Sequence, residues 1–129
     1  MHRLKTRAQF QAVLAGTTVA RTPHFALHRC ALDAPAGVEP LFGSTPDVWL
    51  GAMVPKRWAR RAVTRNAIKR QIYGVSAAPD TVLPSAAHVV RLRAGFDRKE
   101  FVSASSDKLK AAVRAELQQL MQRARAGRS

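Results

Sequence analysis

Residues 48–75 read VWLGAMVPKRWARRAVTRNAIKRQIYGV, and the change of pattern inside this stretch decides the fold. Val48 to Val54 is a short apolar run of strand length. From Lys56 to Arg70 seven of fifteen residues are cationic and none is acidic; the acid-free region extends from Asp47 to Asp80. Advancing roughly 100° per residue from Arg61 sorts this segment as a helix. Arg65, Asn66, Lys69, Arg70 and Tyr73 fall in one arc, and Thr64, Ala67, Ile68, Ile72 and Val75 in the other. The spacing predicts a helix running to about Val75, anchored through Ile68 and Ile72, with Arg65, Asn66 and Lys69 pointing outward as a unit. Gly74 weakens its end and Pro79 closes it.

Upstream, Thr6 can cap a short helix ending at Gly16, with Phe10, Val13 and Leu14 on one face. Thr17 to Leu32 reads as extended chain, and its alternation turns Phe25 and Leu27 toward a core. Asp33 to Pro46 holds three prolines and two glycines and reads as a long loop. The two flanking strands suggest a hairpin with an enlarged connection. Downstream, His88 to Leu92 is a further strand. Ser106 can cap a last helix reaching about Ala124, with Leu109, Val113, Leu117, Leu120 and Met121 as its apolar stripe and Arg123, Arg125 and Arg128 at its negative end. Such an order of elements builds one sheet with helices packed on it.

The 129 residues suffice for a single domain, 1–129, with a modest core. A hydrophobic content of 47% argues against a disordered basic tail, and a net charge of +14 is well beyond what solubility asks. Sixteen of the 22 basic residues are Arg, the side chain that grips phosphate bidentately. The charge points to nucleic acid, with an anionic membrane or an acidic protein as alternatives. Cys30 stands alone, which suits a reducing, cytoplasmic setting. No apolar run approaches the roughly 20 residues of a membrane span. Met1 to Gly16 is Arg-bearing, acid-free and amphipathic, like a transit peptide, but is read as a structural first helix that the following strand needs for its core.

Residues for protein-based catalysis are lacking. Four histidines and one cysteine show no metal-ligand spacing, the eight acids are scattered, and no Gly-rich phosphate loop occurs. Asn66 can donate and accept, so it can touch a 2′-hydroxyl, a base edge or a metal's hydration shell, or simply make a local contact. Trp58 could stack on a base or cover the sheet edge.

The pattern Val54-x-Lys56-Arg57-x4-Ala62-x2-Arg65-Asn66-x-Ile68-Lys69-Arg70 resembles the signature of the bacterial ribonuclease P protein subunit, in a proteobacterial form. Arg3-Leu4-Lys5 with Phe10, Val13 and Gly16 resembles the family's opening helix, and Phe25-x-Leu27 and His88-Val89-Val90 resemble its strands. The resemblance implies an α/β (α+β) two-layer sandwich in the order αβββαβα. It implies a sheet of about four strands with a left-handed βαβ crossover, of the ribosomal protein S5 domain 2 type. It also implies a role as the protein subunit of an endoribonuclease. There the RNA subunit is the catalyst, and Mg2+ is held mainly by that RNA and the substrate. The partners are the ribonuclease P RNA and precursor tRNA, in the cytoplasm, with neither membrane nor DNA. By position, Arg61, Arg65, Asn66, Lys69 and Arg70 would meet the RNA subunit. Phe10, His28, Lys56 and Arg57 would line a cleft for the single-stranded 5′ leader, where aromatic faces stack on any base and cations follow the backbone. Leu14, His28 and Tyr73 depart from the family's pattern, which has an aromatic, a Tyr and a basic residue at those places. A structural RNA-binding protein and a self-sufficient nuclease are the competing readings.

Overall fold

The structure is a computed structural model that describes residues 1–33, 41–43, 46–96 and 107–126. Thr6 opens the first helix, α1 (Arg7–Leu14), through a capping box: its hydroxyl accepts the Gln9 N–H while the Gln9 side chain accepts the Thr6 N–H. Two strands follow, β2 (Thr17–Arg21) and β3 (Phe25–Cys30), paired antiparallel. Next come β4 (Trp49–Met53), α2 (Ala62–Ser76), β5 (Ala87–Leu92) and α3 (Asp107–Ala126). Ahead of α1, His2–Arg3 forms a two-residue strand, β1, parallel to β4.

The sheet therefore has five strands, in the order β1-β4-β5-β3-β2, against the expected four. The extra strand escapes sequence reading because two residues carry no period; it exists through the backbone bonds His2 N–H to Val48 O and Leu4 N–H to Leu50 O, each 2.9 Å. The expected hairpin between the 17–32 segment and β4 is also absent. The turn lies inside that segment, at Thr22–His24, and β5 separates β3 from β4. β5 pairs antiparallel with β3 and parallel with β4, so α2 carries the chain across from β4 to a parallel neighbour. β4 and β5 are buried centrally, which explains their near-continuous apolar character.

Alternation along the strands divides the core in two. Phe25, Leu27, Leu50, Ala52, Val90 and Leu92 face α2 and α3, meeting Ile68, Ile72, Val75 and the α3 stripe from Leu109 to Ala124. Ala87, Val89, Cys30, Trp49 and Met53 face the other way and meet Leu4, Phe10 and Val13. The two-layer expectation is thus corrected: α1 covers part of the opposite face. Phe42, from the expected 33–46 loop, is buried beside α1 with its ring 5.9 Å from Trp49, and Leu41 O accepts from Gln9 Nε2 at 2.8 Å. Residues 34–40 and 44–45 of that loop, the proposed Ser106 cap and Arg128 lie outside the described residues.

One carboxylate ties α3 to the β2–β3 turn. Glu116 Oε2 accepts from the Thr22 hydroxyl and the His24 N–H, both at 2.7 Å, and Oε1 lies 2.7 Å from His24 Nδ1. His24 in turn stacks on Phe96 at 4.0 Å.

Candidate nucleic-acid interface

The turn from β4 into α2 is held tightly. Pro55 O accepts the N–H groups of Trp58 and Ala59 at 3.1 and 3.2 Å, and Ala59 is buried in the core. Arg65 Nη1 donates to Ala59 O at 3.1 Å and to Arg60 O at 2.8 Å. Arg61 is the N-cap residue of α2 and makes no side-chain cap, and the first turn carries no acid. The helix's own positive end therefore adds to the cationic field of Lys56, Arg57, Arg60 and Arg61, all exposed.

Along α2, Ile68, Ile72 and Val75 are buried as the helical arc predicts, while Asn66, Lys69 and Arg70 are exposed. Two members of the predicted front differ. Arg65 is half-buried and folds back over the turn, so it does not project freely beside Asn66 and Lys69. Tyr73 packs against the core and carries the Arg3 guanidinium 3.9 Å above its ring. A helical wheel does not see either partner, since one comes from backbone carbonyls and the other from the edge strand.

The second group lies on the α1 face of the sheet. Gly51 makes it possible for α1 to descend: a Cβ there would stand 2.6 Å from Phe10 Cε1 and 2.8 Å from Leu4 Cδ1. Phe10 is half-buried over β4. The register sets Gly51, Val89, His28 and Thr18 in one row across the strands, and Met53, Arg91, Ala26 and Arg21 in the next. Lys56 and Arg57 follow directly beyond the Met53 end of β4. Of the four predicted cleft residues, Phe10 and His28 are brought to one face, while Lys56 and Arg57 are exposed in the turn that follows β4.

His28 is 6% exposed, so it forms floor and presents no open ring face. Arg91 Nε donates to its Nε2 at 3.2 Å, which leaves Nδ1 to carry the proton toward the Thr18 hydroxyl, also 3.2 Å away. Burial lowers the pKa of His28, and the charges of Arg91 and Arg21 lower it further. Arg91 and Arg21 are the site residues missed from sequence. The alternation of β5 held the signal for Arg91, since it shares a face with Ala87 and Val89 while Val90 and Leu92 point to the α2–α3 core. Cys30, on the same face, has its thiol pKa pushed up by burial, which suits a packing residue more than a nucleophile. Among the described residues, no group of three or more His, Cys, Asp or Glu side chains could hold a metal ion, and no helix is long and apolar enough to cross a membrane.

Against known proteins, the family model described as Ribonuclease P matches residues 1–125. The ribonuclease P protein component of Bordetella parapertussis is 36% identical over 115 residues, covering 89% of this chain and 85% of that protein. The corresponding component of Burkholderia pseudomallei is 31% identical over 122 residues, covering 95% and 81%. Among solved structures, the Staphylococcus aureus RNase P protein superposes with a TM-score of 0.65 at 20% identity, over 95% of this chain and 94% of that one, a likeness of fold.

Proposed function

Because the chain belongs to the ribonuclease P family of protein components, we propose that it binds the catalytic RNA of a bacterial ribonuclease P and the 5′ leader of precursor tRNA. In that role it assists removal of the leader to leave the mature 5′ end. The observation that carries this reading is the acid-free stretch from Lys56 to Arg70, in which Lys56, Arg57, Arg60, Arg61, Lys69 and Arg70 are all exposed. Arg61, Asn66, Lys69 and Arg70 meet the RNA subunit in this reading, with Arg65 shaping the turn that presents them. Lys56 and Arg57 hold leader phosphates, Phe10 offers an aromatic edge to its bases, and His28 holds Arg91 in place on the cleft floor. With this reading goes the left-handed crossover of an S5-type fold, which the parallel pairing of β4 and β5 on either side of α2 supports as a crossover.

Among the described residues no donor set fits a protein-held Mg2+; in this reading the phosphates of the RNA subunit and substrate supply the oxygen ligands that hard cations prefer. What the protein's residues contribute is binding and neutralisation, which raise local affinity for substrate and cation. The setting is the cytoplasm, with neither membrane nor DNA as partner.

The test is cleavage of precursor tRNA by the cognate RNA subunit at low Mg2+, with and without the protein. We expect strong stimulation and no cutting by protein alone. Tight RNA binding without stimulation would place the protein among structural RNA-binding proteins, and cutting by the RNA-free protein would make it a nuclease in its own right.

A further inference from the structure

Trp58 is 37% exposed, and among the described residues it is the most exposed Phe, Tyr or Trp side chain. Leaving so large an apolar ring in water forgoes the burial that normally retains it. It stands in the middle of Lys56, Arg57, Arg60 and Arg61, all exposed. The alternative, that Trp58 is there to cover the sheet edge, is not what the packing needs. The close approach between this turn and the chain after β5 is made by the Trp58 backbone: a Cβ on Gly95 would lie 3.1 Å from the Trp58 carbonyl oxygen. The turn's anchoring likewise comes from elsewhere, through Pro55 O, buried Ala59 and the Arg65 guanidinium. The backbone is pinned, and more than a third of the residue stays open to solvent.

We propose that the exposed face of Trp58 is a stacking site for one unpaired nucleobase of RNA, with Lys56, Arg57 and Arg60 holding the phosphates on either side. Arg57 already stands over the indole, its Cζ 5.2 Å from the ring centroid, a loose cation–π contact that a base can join or displace. A flat ring accepts any base, and flanking cations follow the backbone irrespective of sequence, so the ligand is single-stranded RNA of unrestricted sequence. Trp58 sits between the residues assigned to the leader and those assigned to the RNA subunit, and either RNA can provide the base. This inference rests on the ribonuclease P reading above, and the wild-type protein tests that reading first by binding the RNA subunit and stimulating cleavage.

The experiment compares wild type, Trp58→Leu and Trp58→Phe in three binding titrations over a series of salt concentrations. These use the RNA subunit alone, then the assembled holoenzyme with precursor tRNA, and the holoenzyme with mature tRNA. Losing one stacked base weakens binding by about tenfold. Stacking releases no counterions, so the slope of log affinity against log salt stays at its wild-type value. We expect this loss for Trp58→Leu, with most of the affinity kept by Trp58→Phe and wild-type melting temperatures in both. A loss in the RNA-subunit titration assigns the base to that RNA; a loss confined to precursor tRNA assigns it to the leader. Wild-type affinity of Trp58→Leu in all three titrations would overturn the proposal. So would a flattened salt slope, or an affinity loss that the phenylalanine shares while the melting temperature falls.

Discussion

At the scale of single residues, His28 shows how a position that reads as a ligand contact becomes part of a support. A histidine alternating along a strand is legible as a side chain of the α1 face, and the structure agrees. What the sequence does not carry is its neighbours: Arg91 arrives from a strand 63 positions away and takes the Nε2 lone pair. Burial, then Arg91 and Arg21, hold the folded-state pKa below the ordinary 6.5. The unfolded chain therefore binds a proton that the folded protein refuses. This contribution to stability is complete above the unfolded value near 6.5 and is lost as pH falls through the window beneath it, until the folded ring is also protonated. The melting temperature of wild type should accordingly drop as pH falls below about 6.5 more steeply than that of His28→Asn, which has no proton to take up there. Parallel profiles for the two proteins, followed by circular dichroism, would show the ring to be solvated.

Secondary-structure elements were legible where local chemistry specified them and illegible where distant chain did. The Thr6 cap of α1, the apolar stripe of α3 and the buried back of α2 each follow from residues three or four apart, and each is found as read. The failures share one cause. β1 depends on β4, the order of β3, β5 and β4 depends on a crossover, and the inward turn of Arg65 depends on two carbonyls before its helix. The cationic surface was legible as composition, because an acid-free run of cations needs no partner to be recognised. The cleft was legible only through family resemblance, since Phe10 meets Gly51 across 41 positions. Gly74 gives a prediction at this scale. It lies inside α2, and a Cβ there would meet nothing within 4 Å. Gly74→Ala should therefore stabilise the protein by about 0.5–1 kcal/mol through helix propensity alone. Chemical denaturation would read this as a higher midpoint at unchanged slope.

Across the whole molecule, the charge of +14 suits the phosphate-bearing partners proposed above. Binding of the RNA subunit should weaken steeply with salt, and Lys69→Ala should flatten that dependence by up to about one unit of slope without lowering the melting temperature. Arg65→Ala should differ, flattening the slope less while lowering the melting temperature, because its guanidinium bonds the turn before α2. Identical behaviour of the two variants would mean that Arg65 leaves those carbonyls when RNA arrives. The strand order has a consequence for the chain's birth. β5 is the centre of the sheet, yet it is the last strand to be synthesised. Until residue 92 clears the ribosome, β3 and β4 each present an unpaired edge, the kind of template on which nascent chains aggregate. By then the basic stretch has already emerged between them, so two growing copies meet as like charges. The cations proposed to grip RNA would thus serve first as the guard that keeps an unfinished sheet from pairing with its neighbour's.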